Sequence, residues 1–233
     1  MKQPLQNIQE VLGKTRIFAY AAHQGQMYGD LPYGVHLDDG HKTLNEFGFT
    51  EQTHPELHGA FDLHDVFEDK RATVQQAEQA GVPGHWIALA LAVTDAEAPT
   101  RRERKAKTYP KLANHRRSIL VKLVDRIANV RRGGKLDMYA GEQREFESKL
   151  RNRFFNPEAE PLWIELNRLL GPHLPVAPEA WPWVRMSFQL HTELARNTKA
   201  KVLSPEEWAR QHQVKLRSHQ LKELQQMAAA HKA

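Results

Sequence analysis

The sequence predicts an all-α protein, because apolar residues recur with the 3.6-residue period of an amphipathic helix and almost nowhere with the two-residue period of a strand. Glycine and proline interrupt this pattern at short intervals, as expected between packed helices. The 233 residues are enough for one large domain, or for one domain with a helical appendage. A core of that size needs no disulfide, and the chain has no cysteine.

The N-terminal half contains six predicted helices. The first runs from Leu5 to about Gln26, and a loop follows at Met27–Pro32, where glycine, aspartate and proline cluster. The next five are short and mostly end at glycine or at a polar run: His41–Phe47, Pro55–Glu68, Thr73–Ala80, Gly84–Thr94 and Arg101–Ala113. Pro55 suits the first helical turn, where its missing N–H leaves no hydrogen bond unmade.

The most apolar helix is predicted at Arg116–Val130, and further helices follow at Leu136–Phe155 and Leu162–Leu170. Gly171 and three nearby prolines then break the pattern. We therefore divide the chain into a main domain, residues 1–171, and a C-terminal helical extension, residues 172–233.

The extension is predicted to hold a Trp-rich helix, Trp181–Asn197, and one long final helix that begins at the capping box Ser204–Glu207. Its apolar side chains are expected to pack against the core or against a second subunit, which would make the protein a homo-oligomer. The sequence indicates no chemical role for this region.

Composition narrows the function classes. The absence of cysteine excludes thiolate zinc sites, iron–sulfur clusters and cysteine nucleophiles. The net charge of +5 suits a polyphosphorylated small molecule or a nucleic acid. The basic stretch Arg101–Lys107 fits either a lid that attracts substrate phosphates or a solvated helix face. Nucleic acid is the less favoured ligand, because no aromatic residues interleave these charges.

Neither a signal peptide nor a membrane span is expected. The N-terminus lacks the order of basic and then apolar residues that a signal peptide has. The longest apolar run, Trp86–Val93, is far too short to cross a membrane. The sequence therefore predicts a cytoplasmic protein with no membrane partner.

Adjacent residues His64 and Asp65 form the first candidate site. On a helix, Glu68 lies one turn after His64 and Asp69 one turn after Asp65, so four polar side chains cluster at one helix end. A solvated helix terminus explains this segment equally well when it is taken alone, since the chain has 13 histidines.

Two further segments favour a metal site. His36 follows the predicted loop, where a single histidine is more often a cap or a surface residue. Asp125 lies inside the most apolar helix, with Asn129 one turn later. A buried carboxylate is costly unless it is paired or bound to a cation. An ion pair of Asp125 with Arg126 or Lys122 on the outer face of the helix is the alternative.

Together these segments resemble the HD-domain hydrolases of the RelA/SpoT type, including the small stand-alone alarmone hydrolases. The resemblance covers about residues 5–171. It rests on motifs in the family's order: Phe18–Gln26, Pro32–His36, His64–Asp69, Val121–Asn129, Asp137–Tyr139 and Pro161–Leu166. It implies an HD-type helical bundle that carries a metal-dependent phosphohydrolase site.

The resemblance also implies a role for each site residue. One divalent ion, usually manganese, would be held by His36, His64, Asp65 and Asp125. Glu68 and Asp69 would position and deprotonate the attacking water. Asn129 matches an asparagine that faces the nucleotide in the family, and Tyr28, Arg126 and Arg132 are the other candidate substrate-binding residues.

The substrate implied by the resemblance is a phosphorylated nucleotide, and foremost a ppGpp-type alarmone that loses its 3′ pyrophosphate. The chain departs from the family where a basic residue stacks on guanine, because no Arg or Lys lies between Gln26 and His36. Tyr28 is the aromatic residue of the loop Met27–Leu31, and its ring can stack on a base. Two alternatives stay open: hydrolysis of another nucleotide or small phosphoester at the same site, and non-catalytic nucleotide sensing. The intact Glu68 and Asp69 argue against sensing.

Overall fold

The structure, a computed structural model, describes residues 3–151 and 156–230. The described residues form twelve α-helices and one short hairpin, which confirms the predicted all-α class. The helices are α1 (Gln3–Ala22), α2 (Gly34–Glu46), α3 (Pro55–Glu68), α4 (Val74–Gln79), α5 (Gly84–Val93), α6 (Arg101–Ala113), α7 (Arg116–Arg131), α8 (Leu136–Leu150), α9 (Glu160–Leu170), α10 (Trp181–Asn197), α11 (Pro205–Gln211) and α12 (Ser218–Ala230). Among these helices, none combines the length and the hydropathy needed to cross a bilayer.

The chain divides into two compact units. The first takes the described residues up to Lys135 and those between Glu142 and Leu169, and the second takes Leu136–Gly141 and the described residues from Leu170 onward. Helix α8 thus contributes residues to both units. The division between residues 171 and 172 stays a prediction.

The predicted loop after α1 is a hairpin. Helix α1 ends at Ala22 and not at Gln26, because the chain turns at Gly25, whose φ of 77° lies in the left-handed region. Strands β1 (Met27–Tyr28) and β2 (Leu31–Pro32) then pair antiparallel across Gly29 and Asp30. A strand of two residues is too short to leave a periodic signal in the sequence.

The helix predicted at His41–Phe47 begins earlier, at Gly34, so the prediction was wrong at its start. His36 consequently lies in the first turn of α2 and not in the loop before it. Aspartate and glycine have low helix propensity, so Asp38, Asp39 and Gly40 give only a weak helical signal in the sequence. Gly40 serves a packing role instead, because it lets α2 approach α3.

The prediction of a single long final helix is also wrong, because this segment forms two helices, α11 and α12. Gln213 has a φ of 54°, and the N–H of Val214 donates to the Ala209 carbonyl at 2.8 Å, which closes α11 with a left-handed cap. Val214 then packs on the core of the second unit, which is built from Phe188, Trp208, Ala209 and Leu224. Burial of this apolar residue accounts for the break. The predicted oligomer through these helices stays a prediction.

Two smaller differences concern α8 and α9. Helix α8 ends at Leu150, and the last four residues of the predicted helix, 152–155, lie outside the described residues. Helix α9 begins at Glu160, two residues before the predicted start at Leu162. The bounds of α3, α6 and α10 agree with prediction at both ends.

Helix α3 is the centre of the first unit, since it packs against α1, α2, α5 and α7. Its side chains Leu57, Phe61, Leu63 and Val66 are fully buried. Burial of each such side chain contributes roughly 1.5–3 kcal/mol relative to leaving it in water. Helix α7 is buried from Ser118 to Val130 apart from Lys122. The buried polar residues of these helices, which include His58, Asp62, His64 and Asp125, therefore face protein and not solvent.

Two glycines set the distance of α3 from its neighbours. A Cβ at Gly40 of α2 would overlap the ring of Phe61, and a Cβ at Gly59 of α3 would overlap the ring of Trp86 on α5. Phe61 is fully buried and has no room to move aside. The close approach of α2 to α3 matters because the two helices carry His36, His64 and Asp65.

We predict that Gly40→Ala destabilises the fold, whereas Gly13→Ala stabilises it. The first change forces overpacking, which costs about 1–3 kcal/mol. Gly13 lies in helix α1, and a Cβ there meets nothing within 4 Å. Replacing it gains about 0.5–1 kcal/mol of helix propensity. Urea denaturation measures both free energies of unfolding. Equal effects of the two changes would contradict the close approach at Gly40.

Candidate metal centre

Three helices bring the predicted ligands together. His36 comes from the first turn of α2, His64 and Asp65 from the last turn of α3, and Asp125 from the middle of α7. His36 Nε2 lies 3.4 Å from Asp125 Oδ1 and 3.7 Å from Asp65 Oδ2. His64 Nε2 lies 3.2 Å from Asp65 Oδ2 and 3.7 Å from Asp125 Oδ1. Four side chains that are far apart in sequence thus converge on one point.

These separations suit ligands of one metal ion. Two ligand atoms about 2.1 Å from a first-row ion lie roughly 3.0–3.4 Å apart when their angle at the ion is tetrahedral or octahedral. The four donor-to-donor distances run from 3.2 to 3.7 Å. The group can therefore hold a divalent ion after small adjustments.

The tautomer of His64 also favours a metal. Its Nδ1 lies 2.6 Å from the Phe61 carbonyl, which can only accept a hydrogen bond. Neutral His64 therefore carries its proton on Nδ1 and presents the Nε2 lone pair to the cluster. That Nε2 is buried and has no hydrogen-bond partner, and the same holds for both ring nitrogens of His36. Unpartnered buried nitrogens of this kind are expected where a metal completes the site.

Burial makes the cluster attractive to cations. His36 and His64 are buried, Asp125 is 6% exposed, and Asp65 is half-buried. Burial opposes the charged form of His64, but the nearby carboxylates outweigh it and raise its pKa well above the ordinary value. Burial likewise opposes the charge on Asp125, yet Lys122 and the two histidines hold its pKa well below the ordinary value. Two ionised carboxylates thus face two imidazoles, which favours bound positive charge.

A hydrogen-bonded support surrounds the carboxylates. Asn129, one turn after Asp125 on α7, donates from Nδ2 to Asp125 Oδ1 at 2.7 Å and to its carbonyl at 2.9 Å. The Tyr28 hydroxyl donates to Asn129 Oδ1 at 3.1 Å, and the Tyr33 hydroxyl donates to Asp65. Hydrogen bonds of this kind orient metal ligands. Asn129, predicted to contact substrate, therefore also orients Asp125.

Glu68 lies beside the cluster. Its Oε2 accepts from the backbone N–H of Asp95 at 3.0 Å, and Lys122 Nζ lies 3.9 Å from Glu68 and 3.6 Å from Asp125 Oδ2. Burial raises the pKa of Glu68, while the Lys122 ammonium opposes that rise. A carboxylate with a raised pKa can accept a proton near neutral pH.

The neighbour of Glu68 faces solvent. Asp69 is exposed and accepts from Gln26 Nε2 at 2.7 Å, and Gln26 in turn lies 2.8 Å from the Nδ1 of His23. A cleft of about 600 Å³ opens beside Glu68, lined by Lys70, Asp95, Ala96, Glu97, Ala98, Pro99 and Arg104. The cleft gives a small molecule a route to the carboxylate of Glu68.

The two predicted arginines do not point into the cluster. Arg126 is buried, with its guanidinium 3.6 Å from the centre of the Phe146 ring and its Nη2 3.4 Å from Glu142. Arg132 is exposed and pairs with Asp39 at 2.5 and 3.0 Å. Their role in substrate binding stays a prediction that these contacts do not support.

Sequence reasoning missed the part that two residues play at the site. Tyr33 lies inside the motif that contains His36, and only its contact with Asp65 reveals its part. Lys122 was considered as an outer ion-pair partner of Asp125, yet it faces Asp125, Glu68 and Asp95 together. Its spacing of three residues from Asp125 was the available signal.

No family model matches this chain, and the search among curated proteins finds no significant match. The assignment of the metal centre therefore rests on its geometry and chemistry.

Removing one ligand tests the centre. We predict that His64→Ala abolishes stoichiometric binding of manganese, because it deletes a buried donor and leaves a cavity in its place. The matched control is His85→Ala, since His85 is exposed on α5. Elemental analysis after manganese loading and gel filtration measures the metal. A full equivalent of metal in His64→Ala would show that the ligands lie elsewhere.

Proposed function

We propose that the chain is a metal-dependent phosphohydrolase of the HD type, with a ppGpp-type guanosine alarmone as its leading substrate. The observation that carries this proposal is the convergence of His36, His64, Asp65 and Asp125 from three helices at 3.2–3.7 Å. Glu68, one turn after His64, supplies an acid–base group beside them. A phosphorylated nucleotide of the cytoplasm is the partner that this function implies.

The donor set favours manganese over magnesium. Two imidazoles and two carboxylates suit a first-row ion, whereas magnesium prefers oxygen ligands throughout. When bound, such an ion polarises a phosphoryl oxygen and makes a water molecule more acidic. The protein's part is to fix the donors, which the carbonyl of Phe61 does for His64 and Asn129 does for Asp125.

Glu68 is proposed to take the proton from the nucleophilic water. Its carboxylate is half-buried and is oriented by the Asp95 N–H, so it keeps one face toward the cleft. Lys122 lies between Glu68 and Asp125 and can stabilise negative charge that develops on a phosphoryl group. Asp69, held by Gln26, is proposed to position the water and not to take its proton.

A different substrate on the same site is the second candidate. The segment between Gln26 and His36 holds no Arg or Lys that could recognise guanine. The guanidinium of Arg132 is already paired with Asp39. These facts favour a phosphoesterase that binds phosphate and ignores the base. Assay with manganese against an alarmone, other nucleotides and a generic phosphomonoester distinguishes the two. Release of intact pyrophosphate from the alarmone alone would support the first candidate.

We predict that the Glu68→Gln variant still binds the metal but has a much lower turnover number. Glutamine matches glutamate in size but cannot take a proton, so turnover should fall roughly 10²–10⁴-fold. Glu78→Gln, an exposed change on α4, is the control and should leave turnover unaltered. Steady-state kinetics with elemental analysis measures both quantities. If Glu68→Gln retained full turnover, the proton would have to leave through another group.

Tyr28 is predicted to bind the base. Its ring lies 5.0 Å from that of His36, and its hydroxyl reaches Asn129. Stacking contributes roughly 1–3 kcal/mol per base, so Tyr28→Ala should raise the KM of a nucleotide about tenfold or more. Tyr28→Phe keeps the ring and should retain a low KM, which separates stacking from the contact with Asn129. The KM of a phosphomonoester without a base should be the same in both variants as in the wild type. Unchanged KM values for every nucleotide in Tyr28→Ala would remove this role.

A further inference from the structure

A second cluster of buried polar side chains joins helices α1, α2 and α3. It contains Arg16, His41, Glu51, His58 and Asp62. His58 and Asp62 are fully buried, and His41 is 8% exposed. The ring of Phe61 contacts both clusters, with its centroid 6.1 Å from that of His41 and 4.8 Å from that of His64. The proposed phosphohydrolase chemistry makes no use of this second cluster.

Hydrogen bonds at the outer edge of each imidazole fix its tautomer. His58 Nε2 lies 2.7 Å from the carbonyl of Phe49, which can only accept, so Nε2 carries a proton. His41 Nε2 lies 2.6 Å from Asp62 Oδ1, and an ionised carboxylate also only accepts. In the neutral form of each ring, the remaining Nδ1 would hold a lone pair.

The two Nδ1 atoms nevertheless face each other at 2.8 Å, and the rings lie nearly parallel at 3°. Two lone pairs at that distance repel, so a positive particle must lie between them. A distance of 2.8 Å is that of an N–H···N hydrogen bond. One ring must therefore hold protons on both nitrogens.

The charge count of the cluster supports one extra proton. Arg16 Nη2 donates to Glu51 Oε1 at 2.7 Å, and Arg16 Nε lies 3.8 Å from Asp62 Oδ2. With neutral histidines the cluster holds one cation and two carboxylates, which leaves a buried negative charge. An imidazolium restores the balance. The Nε2 of His41 contacts the Asp62 carboxylate, whereas that of His58 contacts only the neutral carbonyl of Phe49, so the extra proton is assigned to His41. Burial lowers the pKa of His58 to about 4, which agrees with this assignment.

A metal ion fits this cluster less well than a proton does. Glu51, His41 and His58 offer ligand atoms within 4.8 Å of one another. The separation of the two Nδ1 atoms, 2.8 Å, is however shorter than the roughly 3.0–3.4 Å expected between two ligands of one ion.

We infer that His41 is a buried imidazolium that shares its Nδ1 proton with His58, and that this bond positions the metal ligands. His41 lies five residues after His36 on α2, and Asp62 lies two residues before His64 on α3. The bonds of His41 to His58 and Asp62 therefore fix the separation of the two helices that carry three of the four ligands. The positioning role rests on the proposed metal centre, whereas the shared proton does not.

Charged groups of both signs face His41. Arg16 faces it from α1, Glu51 from the segment between α2 and α3, and His58 and Asp62 from α3. On α7, which also packs against α2, Arg131 turns to Glu46 and Thr43 instead. The two carboxylates and the two cations thus form a closed set.

Nitrogen-15 NMR of the full-length wild-type protein tests the shared proton without any substitution. At pH 7, both ring nitrogens of His41 should be protonated and His58 should be protonated only at Nε2. A scalar coupling should connect the two Nδ1 atoms through the hydrogen bond. A neutral His41, or the absence of that coupling, would overturn the inference.

Metal binding tests the positioning role. His41→Gln keeps a hydrogen-bond donor but removes the cation, and His85→Gln is the matched control on exposed α5. Manganese affinity should fall roughly 10–100-fold in His41→Gln alone, the usual effect of losing a residue that supports metal ligands. The visible spectrum of bound cobalt should change with it. Unaltered affinity and spectrum in folded His41→Gln would overturn the positioning role.

Three further outcomes are informative. If His41→Gln does not fold, Asp62→Asn takes its place, with the same changes expected in manganese affinity and cobalt spectrum. A second equivalent of metal in the wild type, absent from the variant, would overturn the shared proton in favour of a metal. If the wild type binds no metal, the proposed function and the positioning role both fail, while the NMR result still decides the protonation of His41.

Discussion

The carboxylates of the half-buried Asp65 and the buried Asp125 impose the constraint on which the first unit depends. They sit where α2, α3 and α7 meet, and negative charge in such a place is stable only with a cation beside it. Lys122 supplies one positive charge at 3.6 Å from Asp125, and two imidazoles turn their nitrogens toward the same point. The same charged groups therefore determine both how the three apolar helices can pack and what the site can bind.

The packing meets this constraint by bringing α2 close to α3. Gly40 permits the approach, and the network around His41 adds directional bonds across it. Apolar contacts alone would let the helices slide, because dispersion and hydrophobic burial have little directionality. Hydrogen bonds between fixed tautomers fix the register. Two polar clusters, one among α2, α3 and α7 and the other among α1, α2 and α3, thus give a largely apolar bundle a single arrangement.

Much of this arrangement could be predicted from local signals. Pro55 marks the start of α3, a capping box at Thr100 marks that of α6, and the period of apolar residues gives the length of α7. His36, His64, Asp65 and Asp125 were identifiable because their types and order resemble a known motif. The direction of Arg126 was not, since it depends on Phe146 and Glu142 elsewhere in the fold. The role of His41 was hidden for the same reason, because its partners lie on two other segments.

The central claim is that one ion binds between His36, His64, Asp65 and Asp125. Anomalous X-ray diffraction at the manganese edge, from crystals grown with manganese, measures this most directly. The account predicts one strong peak within bonding distance of both Nε2 atoms and of the two carboxylates. A peak beside His41 and His58 instead, or no ordered peak in the protein, would contradict it.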